Sequence, residues 1–184
     1  MKKEEVILKC YKILENETPL NFDCGKICDG KCCKGDENTG MLLFPGEENL
    51  IDENIKIKIS QNGEKIAVCN GSCNRNKRPL SCRIYPFFPL VKELGERKRV
   101  KLIFDLRADC PLIKGEYEFN KEFLHRLKRI GKYLLLNEET KKFYLDLCDD
   151  LNEQIELLNL LGWQIFCHPK FFKKKCWQNE ICLL

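Results

Sequence analysis

Thiols are the side chains in this sequence whose number and spacing point to chemistry. Cysteine occupies 13 of the 184 positions. The densest group is Cys24-Gly-Lys-Ile-Cys28-Asp-Gly-Lys-Cys32-Cys33, four thiols within ten residues, with gaps of three, three and zero. Gly25, Gly30 and Gly35 surround them. Glycine's access to positive φ lets a short loop aim several side chains at one point. No apolar periodicity runs through the segment, so it reads as neither a helix face nor a strand. Concentrating thiols in such a loop suits a soft metal ion.

Cys69, Cys73, Cys82 and Cys110 extend the set. Each lies in or beside a turn, at a strand end, or next to Gly or Pro. Turn backbones can converge thiols while leaving amide N–H groups free to hydrogen-bond sulfur. The three-residue gaps Cys24/Cys28 and Cys69/Cys73 fall within the range of structural zinc pairs. The candidate ligands are therefore Cys24, Cys28, Cys32, Cys33, Cys69, Cys73, Cys82 and Cys110. Eight thiolates divide into two tetrahedral four-sulfur sites, or hold one four-iron cluster with thiols to spare. The expected cofactor is zinc or iron, an iron–sulfur cluster included. Adjacent side chains in extended backbone point apart. Cys32 and Cys33 then serve two neighbouring sites, or one ligates while the other packs. Four-thiolate zinc sites are anionic and invite cations; Lys77, Arg78 and Arg83 are placed to supply them. Tyr85 and Phe87 are expected to cover the site and exclude water.

The remaining cysteines read differently. Cys10 and Cys148 lie on or beside apolar helical stripes and are expected to be small buried residues. Cys167, His168, Cys176 and Cys182 fall in a Cys- and Lys-rich tail, 164–184. They form either a wide-gapped Cys3His set or an apolar tail with incidental thiols.

Composition narrows the class. Charged residues are 33% and the hydrophobic class 43%, as in globular proteins. Net charge is +4, from 32 basic and 28 acidic residues. That imbalance is too mild to argue for a nucleic-acid partner. No secretory apolar run opens the chain, and no stretch reaches the length of a membrane span. A cytoplasmic location with reduced thiols is the expectation, and the odd cysteine count leaves at least one thiol unpaired. The metal ion is the expected partner, a protein partner stays open, and no membrane is expected. His125 and His168 are the only histidines. No paired carboxylates or serine triad stand out, so no catalytic residue is assigned.

Cys28-x-x-x-Cys32-Cys33, followed by Arg78-Pro79-x-x-Cys82-Arg83-x-Tyr85-Pro86-Phe87, resembles the YkgJ-type cysteine-cluster family, a zinc- or iron-chelating domain named for a CxxCxxCC pattern. The resemblance covers roughly residues 22–115 of this chain. Here the gaps are three and three where the name pattern has two and two. The resemblance implies eight metal-binding cysteines, in agreement with the set chosen on placement. Flagellin lysine-N-methylases, which are longer chains, carry a similar module. This sequence shows no glycine-rich SAM-binding loop after a strand.

The elements that must position these thiols follow from periodicity. Residues 3–15 read as a helix with Val6, Ile7, Cys10, Tyr11 and Leu14 on one stripe. Gly40–Phe44 reads as a buried strand and Ile55–Ser60 as a half-buried one. Asn62-Gly63 marks a hairpin turn, and Lys65–Cys69 is the returning strand. Pro79, Pro86 and Pro89 make 74–89 irregular, with Tyr85-Pro86 and Phe88-Pro89 open to cis. Lys98–Leu106 reads as a strand. Phe123, Leu127, Ile130 and Leu134 mark one helix. Phe143, Leu147, Leu151, Ile155 and Leu158 mark a second, antiparallel to the first.

The predicted fold is α+β: one domain over 1–163, with a small antiparallel strand unit around a cysteine metal centre in 20–115 and a helical hairpin in 120–163. Three functions compete. In the first, the metal is structural and stands in for a missing core across 20–115. In the second, the chain is an iron–sulfur redox or protein-modifying, methylase-like enzyme. In the third, it is a nucleic-acid-binding zinc protein using Lys77, Arg78, Arg83, Arg97, Lys98 and Arg99, with Tyr85 and Phe87 as stacking faces.

Overall fold

A computed structural model of the chain describes residues 1–34, 40–69, 71, 73–94, 97–161, 166–167 and 182–183. Helix α1 (Lys3–Ile13) buries Val6, Ile7, Cys10 and Tyr11, the face its spacing predicts. Cys10 is fully buried, and burial pushes its thiol up to about 12.

Where the sequence predicts an irregular cysteine loop, two short helical turns form: α2 (Gly25–Cys28) and a single 3₁₀ turn at Lys31–Cys33. Asp29 (φ 51°) and Gly30 (φ 63°) separate them in the left-handed region. Such a pair ends one helical turn and redirects the chain into the next.

The chain is mixed α+β with small antiparallel sheets. The first contains β1 (Met41–Leu42), β2 (Lys56–Ile59) and β3 (Lys65–Val68), in the order β1-β3-β2. The β2–β3 turn contains Gly63 at φ 80°, as Asn62-Gly63 predicts. The expected half-burial of β2 is not found. It is an edge strand, and Ile57 and Ile59 are 41% and 64% exposed. The lysine–isoleucine alternation is real, but among the described residues no layer lies over Ile57 and Ile59. Leu43, Ile55 and Ala67 form a separate small cluster.

Helix α3 (Leu80–Ile84) interrupts the stretch predicted to be irregular. Pro79 forbids continuation of a helix but is suited to starting one, because its fixed φ is helical and it lacks an N–H that would go unpaired there. Strands β4 (Phe87–Leu94) and β5 (Arg97–Phe104) pair antiparallel from Phe87↔Phe104 to Leu94↔Arg97. Pro89 sits inside β4, which is tolerated because β4 is the edge of its sheet. The Tyr85-Pro86 bond is cis. Strands β6 (Phe166–Cys167) and β7 (Cys182–Leu183) complete this sheet, with β7 antiparallel to β5 at Ile103↔Leu183. Residues from the predicted tail thus join the sheet. His168 and Cys176 lie outside the described residues, and of Cys167 and Cys182 only the backbone is described. The predicted Cys3His set therefore falls outside them.

After α4 (Pro111–Lys114), Asn120 and Asn137 cap α5 (Lys121–Leu134) and α6 (Glu138–Leu160), each side-chain carbonyl accepting two backbone N–H bonds. Helix α5 packs more extensively on α1, β4 and β5 than on α6. Helix α5 is laid on α1 and the sheet rather than mainly on α6. Gly131 of α5 makes this approach possible. A Cβ there would come within 2.7 Å of the Tyr144 hydroxyl and 2.9 Å of a Val100 methyl. Gly131→Ala is expected to cost about 1–3 kcal/mol by overpacking, despite alanine's better helix propensity; urea denaturation measures it.

The main core corrects the idea that a metal replaces one across 20–115. Leu20, Phe44, Leu80, Ile84, Phe88 and Ile103 are all buried there, in one cluster with α1, α5 and α6. Phe87, expected to cover the thiols, belongs to this core instead. It is 1% exposed, stacks on Phe104 at 4.8 Å and meets Phe119 edge-on at 5.0 Å. The candidate thiols are half-buried, or exposed in the case of Cys32, and Cys24 and Cys110 pack against the edge of this core.

Candidate metal centre

Four separate pieces of chain bring the candidate cysteines to one side of the molecule. Opposite charges flanking the cysteines hold the pieces together. Asp23, next to Cys24, pairs with Arg75, just beyond Cys73. Lys31, next to Cys32, pairs with Asp109, next to Cys110, at 2.5 Å. The Arg75 guanidinium holds the Asp23 carboxyl below its usual range, and the Lys31 hydrogen bond does the same for Asp109. These pairs are partly exposed, so each contributes little alone; their effect is to fix which loop faces which.

Buried acceptors anchor the other pieces. Asp52 is 5% exposed and accepts the Asn74 N–H at 2.7 Å and the Asn54 N–H at 2.9 Å, while its own N–H donates to the Lys77 carbonyl. Backbone N–H bonds, that from Asn54 foremost, hold its carboxyl low. This fixes the turn that follows Cys73. Glu47 is fully buried and accepts three hydrogen bonds: from the Tyr11 hydroxyl at 2.7 Å, the Phe44 N–H at 2.7 Å and the Leu80 N–H at 2.6 Å. Leu80 opens α3, so Glu47 sets the start of the helix that carries Cys82. Arg83 stacks on the Tyr11 ring at 3.9 Å and donates to the carbonyls of Arg78 and Asn76.

The thiols border two adjoining cavities. One, of about 270 Å³, is lined by Cys24, Cys28, Cys32, Cys82 and Cys110. The other, of about 540 Å³, is lined by Cys32, Cys33, Cys69, Cys73 and Cys82. Arg78 and Tyr85 line both. The Arg78 Nε donates to the Cys73 sulfur at 3.2 Å. Lys77 lines neither cavity and is exposed; Arg75 stands where Lys77 was expected.

Protonation within the cluster is uneven. The Cys33 thiol is lowered to about 6 and that of Cys32 is raised, chiefly by their interaction with each other. Arg78 and Arg75 reinforce the Cys33 charge. Burial raises the thiols of Cys24 and Cys82, and that of Cys110 to about 11. Burial also raises the Tyr85 hydroxyl, with the charges of Cys110 and Cys32 adding to it. A cation entering this site would draw the raised thiols down, since a coordinated thiol loses its proton.

All eight predicted cysteines are therefore gathered around two adjacent cavities. Among the described residues, however, no group of three or more His, Cys, Asp or Glu side chains is arranged as a metal site. Cys10 and Cys148 are buried in the main core, as predicted. His125 is exposed. Sequence reasoning missed Asp23, Lys31, Glu47, Asp52, Arg75 and Asp109. The available signal was an acid immediately before both Cys24 and Cys110, with a cation close to the facing cysteines. No described helix is long and apolar enough to cross a membrane. No family model, no curated protein and no solved structure matches this chain.

Proposed function

We propose that this chain is a cysteine-cluster metal protein. Its eight thiols, Cys24, Cys28, Cys32, Cys33, Cys69, Cys73, Cys82 and Cys110, hold zinc or iron in a structural role. The observation that carries this reading is the convergence of thiols from four chain segments on two adjoining cavities, with arginine at the rim. The donor set fits a thiophilic ion: it is all sulfur, with N–H donors from Arg78 to Cys73 and from the Leu112 backbone to Cys110. Closing the sulfurs onto an ion takes side-chain rotation in loops that the ion pairs already hold together. The resemblance to the YkgJ-type family supports the same ligand set.

Given the core described above, the metal organises the loops around 20–34 and 69–78 and is not a substitute for the core. The nucleic-acid reading loses ground, because Arg78 and Arg83 are turned inward to sulfur, backbone carbonyls and the Tyr11 ring.

The test is elemental analysis with a visible spectrum on anaerobically purified protein. Stoichiometric metal is expected, colourless for zinc and brown for an iron–sulfur cluster. Cys28→Ser and Cys82→Ser are expected to lower metal content and loop protection from hydrogen exchange together, since site formation and local folding are coupled. Cys10→Ser is expected to leave metal content unchanged. A folded, metal-free wild type that takes up neither metal on reconstitution would overturn the proposal.

A further inference from the structure

We infer that the eight thiols form two separate four-sulfur sites, one of Cys24, Cys28, Cys32 and Cys110 and the other of Cys33, Cys69, Cys73 and Cys82, meeting at the Cys32–Cys33 peptide bond. The inference rests on the metal-binding reading above and deepens it.

Cavity lining assigns six of the eight. Cys24, Cys28 and Cys110 border only the smaller cavity, and Cys33, Cys69 and Cys73 only the larger. Cys32 and Cys82 border both. The backbone divides Cys32 from Cys33. They are neighbours in a 3₁₀ turn, where three residues complete a turn and successive side chains diverge by about 120°. Cys33 borders only the larger cavity, and that divergence leaves Cys32, which borders both, able to turn into the smaller. The divergence that extended backbone was expected to provide is thus supplied by a helical turn.

Cys32 then makes the fourth sulfur of the smaller cavity, and Cys82, which borders both, the fourth of the larger. Lys31–Asp109 lies within the first group's segments. Asp23–Arg75 links the two groups. Four thiolates each is the closed ligand count of a structural tetrahedral site.

The experiment replaces the native metal with ¹¹³Cd in the full chain and records ¹H–¹¹³Cd correlations, which join each ion to the Cβ protons of its own ligands. Two cadmium resonances are expected, one correlated with Cys24, Cys28, Cys32 and Cys110, the other with Cys33, Cys69, Cys73 and Cys82. A single resonance, a cysteine correlated with both ions, or any correlation that crosses the groups overturns the partition while leaving metal binding intact. Native mass spectrometry of variants gives a second reading. Cys28→Ser/Cys110→Ser is expected to retain one ion of two, and Cys110→Ser/Cys69→Ser none. Retention of an ion by the second double variant, or loss of both by the first in a chain that stays folded, would count against two independent sites. A wild type that binds no cadmium, zinc or iron defeats the metal reading itself, a result distinct from either of these.

Discussion

Phe87→Ala is expected to destabilise the protein by about 3–5 kcal/mol, the range for removing a large aromatic side chain from a packed core. Phe87 is the first residue of β4 and its ring lies within 4.8–6.0 Å of the Phe104, Phe119 and Phe123 rings. Those contacts join the β4–β5 hairpin to α5 and the segment before it, so the cavity would open where the sheet meets the helices. Urea denaturation followed by far-UV circular dichroism measures the loss. Metal content per folded chain is expected to stay at the wild-type value, because Phe87 lines neither thiol cavity. A proportionate loss of metal in folded Phe87→Ala would show that the core and the thiol site form one cooperative unit.

The second large effect is expected at Glu47. Glu47→Ala removes the acceptor of three buried donors, the Tyr11 hydroxyl and the N–H groups of Phe44 and Leu80. Unsatisfied buried donors cost about 1–3 kcal/mol each, and relief of a desolvated carboxylate offsets part of that. A net loss of about 3 kcal/mol is expected at neutral pH. Glu47→Gln separates charge from shape. Its oxygen can keep two of the donors, while its amide N–H₂ confronts the third.

Glu47 also predicts a pH dependence. Burial raises its carboxyl from 4.5 to about 7, with the Tyr11 hydrogen bond opposing the shift. The folded state then holds this proton more tightly than the unfolded state does. The associated stability is fully present below about pH 4.5 and is lost as pH rises through about 7. The carboxyls of Asp23, Asp52 and Asp109 are lowered and act in the opposite sense at more acid pH. Subtracting Glu47→Gln from wild type isolates the Glu47 contribution. The difference is expected to fall by on the order of 3 kcal/mol between pH 4.5 and pH 7.5. A flat difference would mean that Glu47 is ionised throughout, with its three hydrogen bonds outweighing burial.

The sequence by itself determined that Cys10 and Cys148 lie in the core. Cys10 falls on a three- and four-residue stripe, and that local spacing decides the buried face of a helix wherever the helix docks. The same holds for α1, α5 and α6 and for the turn at Gly63. Only the tertiary structure decided which loops face one another. Asp23 meets Arg75 and Lys31 meets Asp109 across long stretches of chain, and nothing in the residues between them encodes those encounters. It also decided that Ile57 and Ile59 stay exposed, that Phe87 joins the core, and that Glu47 is buried beneath Tyr11. Periodicity reports that a face is apolar or that a residue can ionise. Whether a second layer arrives to cover it depends on how the whole chain packs, which no local window contains.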